Sequence, residues 1–372
     1  MFNQVVGQQE VRQLLIRQVK ENRVPHAMLF SGPEGCGKLA MAVALAQYLL
    51  CHQPGENDAC GVCPACRQTT KVEHPDLHFS YPIIVKKSGS TTSETYVQEW
   101  KMLLRDSFYF GMNDWLEQMG DASKQAVIPE AEGDRILEKM SLSSYEGGYK
   151  VMIIWKAERL NASAANNLLK MLEEPAPQTV FILISEHPEN ILETIRSRTQ
   201  QVRFRPLSTE EISKALMERN GLDRNNALRI ARVSAGSYLA ALRTIHTASD
   251  DDNFFDLFVS LMRLTYLCDV RGLQKWADEL AQLTRDRQKE FLAFCQNMVR
   301  ENFIYNFQMP ELNFMTEKEE TFARNFSRFI NERNVKGFVS EFSQASRDID
   351  SNVGAKTIFF DLALRIILLI KK

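Results

Sequence analysis

The chain has 372 residues, a formal net charge of −2, 44% hydrophobic residues and 25% charged residues. This balance is that of an ordinary globular protein; it excludes a disordered or fibrous chain and a strongly basic nucleic-acid tail, though not a local basic face. The length predicts two or three domains.

Met1-Phe-Asn-Gln4 shows no basic region followed by an apolar core, so no secretory leader is expected. Periodicity predicts a helix over 7–22. A short apolar strand over 27–30 leads into a glycine-rich turn at 32–38, Gly-Pro-Glu-Gly-Cys-Gly-Lys, and an Ala- and Leu-rich helix over 39–50 follows. Strand, glycine turn and helix start together place backbone N–H groups and the helix dipole around an anion. Gly32, Gly35, Gly37 and Lys38 are therefore the candidate phosphate-binding residues. The pattern of Gly, four residues, Gly, Lys, then Ser or Thr fails only at its last place, where Leu39 offers magnesium no hydroxyl.

Cys51, Cys60, Cys63 and Cys66 follow, spaced Cys-x8-Cys-x2-Cys-x2-Cys. Two Cys-x2-Cys steps fold thiolates onto one ion, with Gly61 and Pro64 suited to the tight turns. Four thiolates make a closed, structural zinc site at about 51–66. His52 lies beside it, but four cysteines already fill the shell. Cys36, Cys268 and Cys295 stand apart and read as small packing residues.

Between 85 and 148 the pattern weakens. The polar run 86–93 reads as an exposed loop, 97–104 and 131–140 have helical spacing, and the remainder has no assigned role. A buried strand over 150–155 should end in an acidic pair if the chain hydrolyses nucleotide; it ends instead in Trp155-Lys156. Glu158, two residues on, reads as a solvated side chain. A helix over 161–172, ended near Pro175, and a strand over 179–184 complete an alternation that implies a parallel sheet covered on both faces.

A boundary is expected at 204–207. Ser208 and Glu211 then form a capping box, opening a small helical unit to about 249 that is broken at 235–237. The Asp run at 250–252 marks a second expected boundary, beyond which almost everything is amphipathic helix. The last apolar run, 358–370, contains Asp361 and Arg365; it is too short and too charged to cross a bilayer and reads as a buried helix.

These residues carry a resemblance. Val6-Gly-Gln8, Pro25-His-Ala27, the glycine loop, the four-cysteine insert, His74-Pro-Asp76, 166–175 (Asn-Asn-Leu-Leu-Lys-Met-Leu-Glu-Glu-Pro) and Ile195-Arg-Ser-Arg198 are similar to the clamp-loader subunits of bacterial DNA polymerase III. The resemblance covers about 1–245; over 250–372 it rests on helical character and position. It implies an α/β AAA+ P-loop-type module with a parallel sheet and zinc insert (1–206), a small helical lid (207–249) and an all-helical oligomerisation collar (250–372). It further implies DNA replication as the process, a cytoplasmic location and no membrane. The implied partners are tau/gamma and delta subunits, the sliding clamp and primer–template DNA.

Within that family, Leu39, Trp155 and Lys156 resemble the non-hydrolysing delta-prime type rather than the hydrolysing tau/gamma type. Leu239 stands where hydrolysing members carry a sensing arginine. ATP or ADP bound without turnover, and an empty loop retained for its fold, both fit these residues. The family's Ser-Arg-Cys motif reads Ser197-Arg198-Thr199 here; the resemblance makes Arg198 the arginine finger offered in trans to a neighbouring subunit's ATP, with Arg196 the lesser candidate. The rivals are an active tau/gamma-type ATPase with Glu158 or Glu186 as replacement acid, and a non-enzymatic DNA-binding or recombination scaffold.

Overall fold

The computed structural model describes residues 1–85, 91–120, 125–283, 285–308, 315–350 and 353–371. The expected loop at 86–93 falls largely outside them. The chain divides into two compact units, Met1–Leu242 and Arg243–Lys372.

The first unit is built on five parallel strands: β1 (Ala27–Ser31), β2 (Leu77–Ser80), β3 (Lys150–Trp155), β4 (Thr179–Ser185) and β5 (Gln200–Arg203). Their spatial order is β2-β3-β4-β1-β5. The register pairs Ser31 with Ser185 and Trp155 with Ile184. Every residue of β1, β3 and β4 is buried, as strands covered on both faces must be. Of the edge strands, β2 is half-buried and β5 is exposed at all positions but Val202. They carry His78, Gln200, Gln201 and Arg203, which break the apolar run that makes a buried strand visible in sequence.

Helix Lys38–Leu50 is buried along its whole length, in keeping with an Ala-rich sequence that is apolar all round. Helix Ala162–Glu173 begins with the Asn161 side chain accepting from Ala164 N at 2.7 Å. Two further helices, Thr209–Asn220 and Arg224–Val233, belong to the same unit. The expected capping box is present: Ser208 N donates to Glu211 Oε2 at 2.8 Å and Glu211 N to Ser208 Oγ at 3.2 Å. The break at 235–237 is also present, with Ala235 and Gly236 in the left-handed region.

The boundary expected at 250–252 is not a break in the backbone. One helix, Tyr238–Leu267, runs through it. Aspartate is a weak helix former but not a breaker, and the segment holds no Gly or Pro to end it.

The second unit is helical throughout its described residues. Its remaining helices are Val270–Leu280, Arg285–Tyr305, Glu317–Phe326, Val335–Asp350 and Ala355–Ile370. They close on a core that includes Phe258, Phe291, Phe338, Phe342 and Phe359, all fully buried. The apolar run 358–370 is the buried helix expected, and Arg365 Nε donates to Asp361 at 2.8 Å on its exposed side. No helix among the described residues is long and apolar enough to cross a membrane.

Candidate functional site: a glycine loop filled by its own chain, a thiol cluster and an outward arginine

The glycine loop joins the end of β1 to helix Lys38–Leu50, the position its sequence predicts. Its lysine is turned inward. Lys38 Nζ donates to the loop's own carbonyls, Gly32 O at 2.8 Å and Pro33 O at 2.6 Å, and lies 3.9 Å from Glu186 Oε1. Burial lowers the pKa of this ammonium, and Cys36 and Glu186 pull it back up.

Three segments far away in sequence sit on the loop. Tyr238 N donates to Gly35 O at 3.1 Å. A Cβ on Gly35 would fall 2.1 Å from Ser237 Oγ and 2.9 Å from Leu239 Cβ. The main chain of Phe204 also crowds Gly32, its carbonyl oxygen 2.5 Å from a Cβ placed there. Tyr109 covers Gly37, with its Oη 3.1 Å from a Cβ at that position. That hydroxyl accepts from Val6 N at 2.9 Å, and the Tyr109 ring meets Tyr238 edge-on at 4.9 Å.

Tyr109 comes from the stretch between 85 and 148 that carries no role in the sequence reading. That stretch forms helices Val97–Asp106, Met112–Gln118 and Glu130–Ser141, and an aromatic cluster anchors it. Tyr81 stacks on Trp100 at 4.1 Å, and Trp115 Nε1 donates to Pro82 O at 2.7 Å. Trp155 packs against Trp100 at 5.4 Å and Phe110 at 5.3 Å. The space left between the loop, Phe108–Phe110, Trp155 and Glu186 is about 30 Å³. That is room for two or three water molecules at roughly 10–15 Å³ each, not for a diphosphate.

Where an acidic strand end would hold magnesium, the chain places a cation. Lys156, buried and left-handed at φ 56°, donates to Glu186 Oε2 at 2.5 Å and lies 3.6 Å from Glu34. Glu186 is thereby committed to lysine. Glu158 corrects the sequence reading: it is half-buried in a short turn, and its Oε2 is buried without a hydrogen-bond partner. Its charge reaches Lys38. A turn after β3, rather than a straight continuation of the strand, swings it inward.

The four cysteines come together as their spacing predicts. All four sulfurs lie within 4.8 Å of one another, with Cys51–Cys63 at 4.0 Å and Cys60–Cys66 at 3.9 Å. Tetrahedral thiolate ligation at Zn–S ≈ 2.3 Å separates sulfurs by about 3.8 Å, so the set fits one metal ion. Backbone N–H groups already point at sulfur: Cys60 N to Cys51, Cys63 N to Cys60 and Cys66 N to Cys63, at 3.3–3.4 Å. N–H groups of Val62 and Cys63 hold the Cys60 thiol down to about 6, whereas burial pushes Cys66 up. His52 is not a fifth candidate ligand: its Nε2 is 2.7 Å from Glu146 Oε2.

Arg198 follows the short helix Glu193–Arg196 at the surface, ion-paired with Glu173 at 2.9 Å and donating to Thr194 O at 3.1 Å. Arg196 faces the other way and lines the cleft over Ser31–Glu34 of its own loop. Thr199, where the family motif has cysteine, donates to Arg196 O at 3.0 Å and ties the turn.

The sequence profile of the family described as "DNA polymerase III, delta subunit" matches residues 7–208, more than half of the chain. The DNA polymerase III subunit delta′ of Bacillus subtilis is 30% identical over 213 residues, covering 57% of this chain and 52% of that one. The gamma/tau subunit of Mycobacterium tuberculosis is 28% identical over 238 residues, covering 63% and 34%. A solved DNA polymerase III gamma subunit-related protein of Thermotoga maritima covers 96% of this chain and 99% of its own, at 13% identity and a TM-score of 0.35. The chain spans about half the length, or less, of the curated relatives it matches. On the match over 7–208, the chain belongs to the DNA polymerase III delta-subunit family, among the delta′, tau and gamma subunits of the clamp loader.

Proposed function

We propose that the chain is a non-hydrolysing, delta-prime-type subunit that helps a clamp loader place a sliding clamp on primed DNA. The observation that carries this reading is the filled glycine loop. Lys38 is spent on the loop's own carbonyls, Ser237 and Tyr109 crowd Gly35 and Gly37, and Lys156 stands where the metal-holding acid is needed. Phosphoryl transfer depends on a cradled phosphate and a held magnesium ion; the lysine that would meet the first is held by the loop's own carbonyls, and a second lysine stands in place of the acid that would hold the second. In this reading the loop serves the fold and binds neither ATP nor ADP. Of the two rival replacement acids, Glu186 is paired with Lys156, whereas Glu158 turns inward with an unpartnered oxygen and is the acid that turnover by the chain alone would implicate.

Arg198 is the arginine offered in trans. A planar guanidinium at the surface, held by one exposed carboxylate and the Thr194 carbonyl, can be released to a neighbouring tau/gamma subunit's ATP. The four cysteines hold a structural zinc ion, the first 206 residues act as the AAA+ module, 207–249 as its lid and 250–372 as the collar that meets tau/gamma and delta. The location is the cytoplasm, where these partners act.

The test is ATP turnover and nucleotide binding by the purified chain alone, and then with tau/gamma and delta. The expected result is neither binding nor turnover alone, and a stimulated ATPase in the mixture that falls on Arg198→Ala with assembly unchanged. Magnesium-dependent turnover by the chain alone would transfer the assignment to the tau/gamma type.

A further inference from the structure

The second unit carries a cavity of its own, of about 340 Å³. Helix Tyr238–Leu267 supplies one wall. Helix Glu317–Phe326 and the turn Ser327–Phe329 that follows it supply the other. On the first wall Val259, Met262, Arg263 and Tyr266 follow the i, i+3, i+4, i+7 spacing of one helix face. On the second, Phe322 and Phe326 are stacked at 4.7 Å, and Phe329 meets Tyr266 edge-on at 5.3 Å, so the two walls touch there. An apolar cavity of roughly 150 Å³ takes one benzene ring, so this one has room for about two large apolar side chains. Tyr266 is 58% exposed, which leaves a large aromatic surface in water at its edge.

The charges on the lining are of one sign. Arg263 and Arg328 line the cavity and are exposed, and no described Asp or Glu lines it. Neither arginine has a carboxylate partner among the described residues; Arg328 instead lies over the Phe329 ring at 5.0 Å. Arginines of this unit that do not line the cavity find acids: Arg324 is paired with Glu320 at 3.5 Å and Arg365 with Asp361 at 2.8 Å.

Aromatic residues, Met and Arg without Lys, Asp or Glu is the composition found at the centre of protein interfaces. The two guanidiniums also fix the sign of what covers them. Burying a cation without an anion is costly, so the covering surface has to bring carboxylates, which a guanidinium takes bidentately. A pocket for two side chains anchors a short segment; two folded faces in stable contact bury roughly 1,200–2,000 Å².

We infer that this cavity is a docking groove for an acidic segment of a partner protein, which sets two large apolar side chains between the helices and carboxylates on Arg263 and Arg328. The inference uses neither the glycine loop nor Arg198 and stands apart from the reading of both.

The test selects twelve-residue peptides from a random display library on the full chain and measures the recovered peptides by fluorescence anisotropy. The expected peptides combine Phe, Trp or Leu with Asp or Glu. Their affinity should fall at least about fivefold in Arg263→Glu, in Arg328→Glu and in Tyr266→Ala, a factor equal to the loss of about 1 kcal/mol that marks a residue carrying binding energy. Arg324→Ala should bind as the parent does, and replacing the peptide's acids by their amides should weaken binding as the arginine changes do. All four positions are at least partly in water, and circular dichroism checks that each variant is folded. The inference fails if no peptide is recovered, if the recovered peptides carry no acids, or if the substitutions leave binding unchanged. It fails too if the parent chain is a dimer that Arg263→Glu dissociates, which gives the groove to a second copy, or if Arg263→Glu blocks assembly with tau/gamma and delta, which makes it part of the collar contact.

Discussion

Ser237 Oγ occupies the place next to Gly35 that a side chain there would need, 2.1 Å from an ideal Cβ, and Gly35 is itself left-handed at φ 76°. The glycine is thus required twice, by its backbone conformation and by its neighbour. Gly35→Ala should destabilise the protein by about 1–3 kcal/mol through strain and overpacking. Urea unfolding measures it, and a double variant with Ser237→Ala should recover the crowding part but not the φ part.

Lys156 and Glu186 form a largely buried pair, with side chains 7% and 18% exposed. Removing Lys156 leaves Glu186 only the more distant Lys38, 3.9 Å away. Lys156→Ala should cost about 3 kcal/mol, and Lys156→Ala with Glu186→Gln distinctly less. Equal losses in the single and double variants, read from the same denaturation curves, would mean the two residues do not act as a pair.

Metal analysis of the purified chain should find one zinc ion per chain, lost in Cys63→Ser. Because the cluster joins the end of helix Lys38–Leu50 to helix Pro64–Thr70, a chelator should lower the thermal midpoint of the first unit. An unchanged midpoint with zinc fully removed would make the metal incidental to stability.

Arg198→Ala should be nearly neutral for folding. Its bond to Glu173 is exposed, 38% and 52%, and such pairs contribute about 0–1 kcal/mol. The same substitution should lower the ATPase of the assembled complex by a factor on the order of 10³. Thermal midpoints and steady-state turnover, measured side by side, separate the two effects.

The pH dependence of stability has a definite sign at His78. Its folded pKa, about 4, lies below its ordinary value of 6.5. The unfolded chain therefore binds more protons in that window, and stability falls as pH drops from about 6.5 toward 4, by at most about 1.4 kcal/mol per pH unit for this one group. Denaturant midpoints across the window should flatten in His78→Gln.

The sequence made legible what depends on neighbours along the chain. Strands β1, β3 and β4 announce themselves as unbroken apolar runs because both their faces are covered. The cysteines gather as their spacing requires, and Ser208–Glu211 caps a helix as its pattern says. What depends on distant neighbours stayed hidden. Nothing near Tyr109 says that it will cover Gly37, 72 positions earlier. Helix Met112–Gln118 is too short to show a period. Glu158 reads as solvated until the turn at Lys156 swings it inward. That one helix runs through the Asp run at 250–252 was hidden too, because composition cannot show that the helix on each side is the same helix.

The filled loop also bears on how freely this chain can change. On the proposed reading, a hydroxyl placed at position 39 would achieve nothing by itself, since Lys38 would still be held by the loop's own carbonyls and Lys156 would still stand at the end of β3. Withdrawing Lys156 alone deprives Glu186 of its nearer partner. In that reading each first step toward a nucleotide site is a loss, and the loop works as a one-way gate in sequence space.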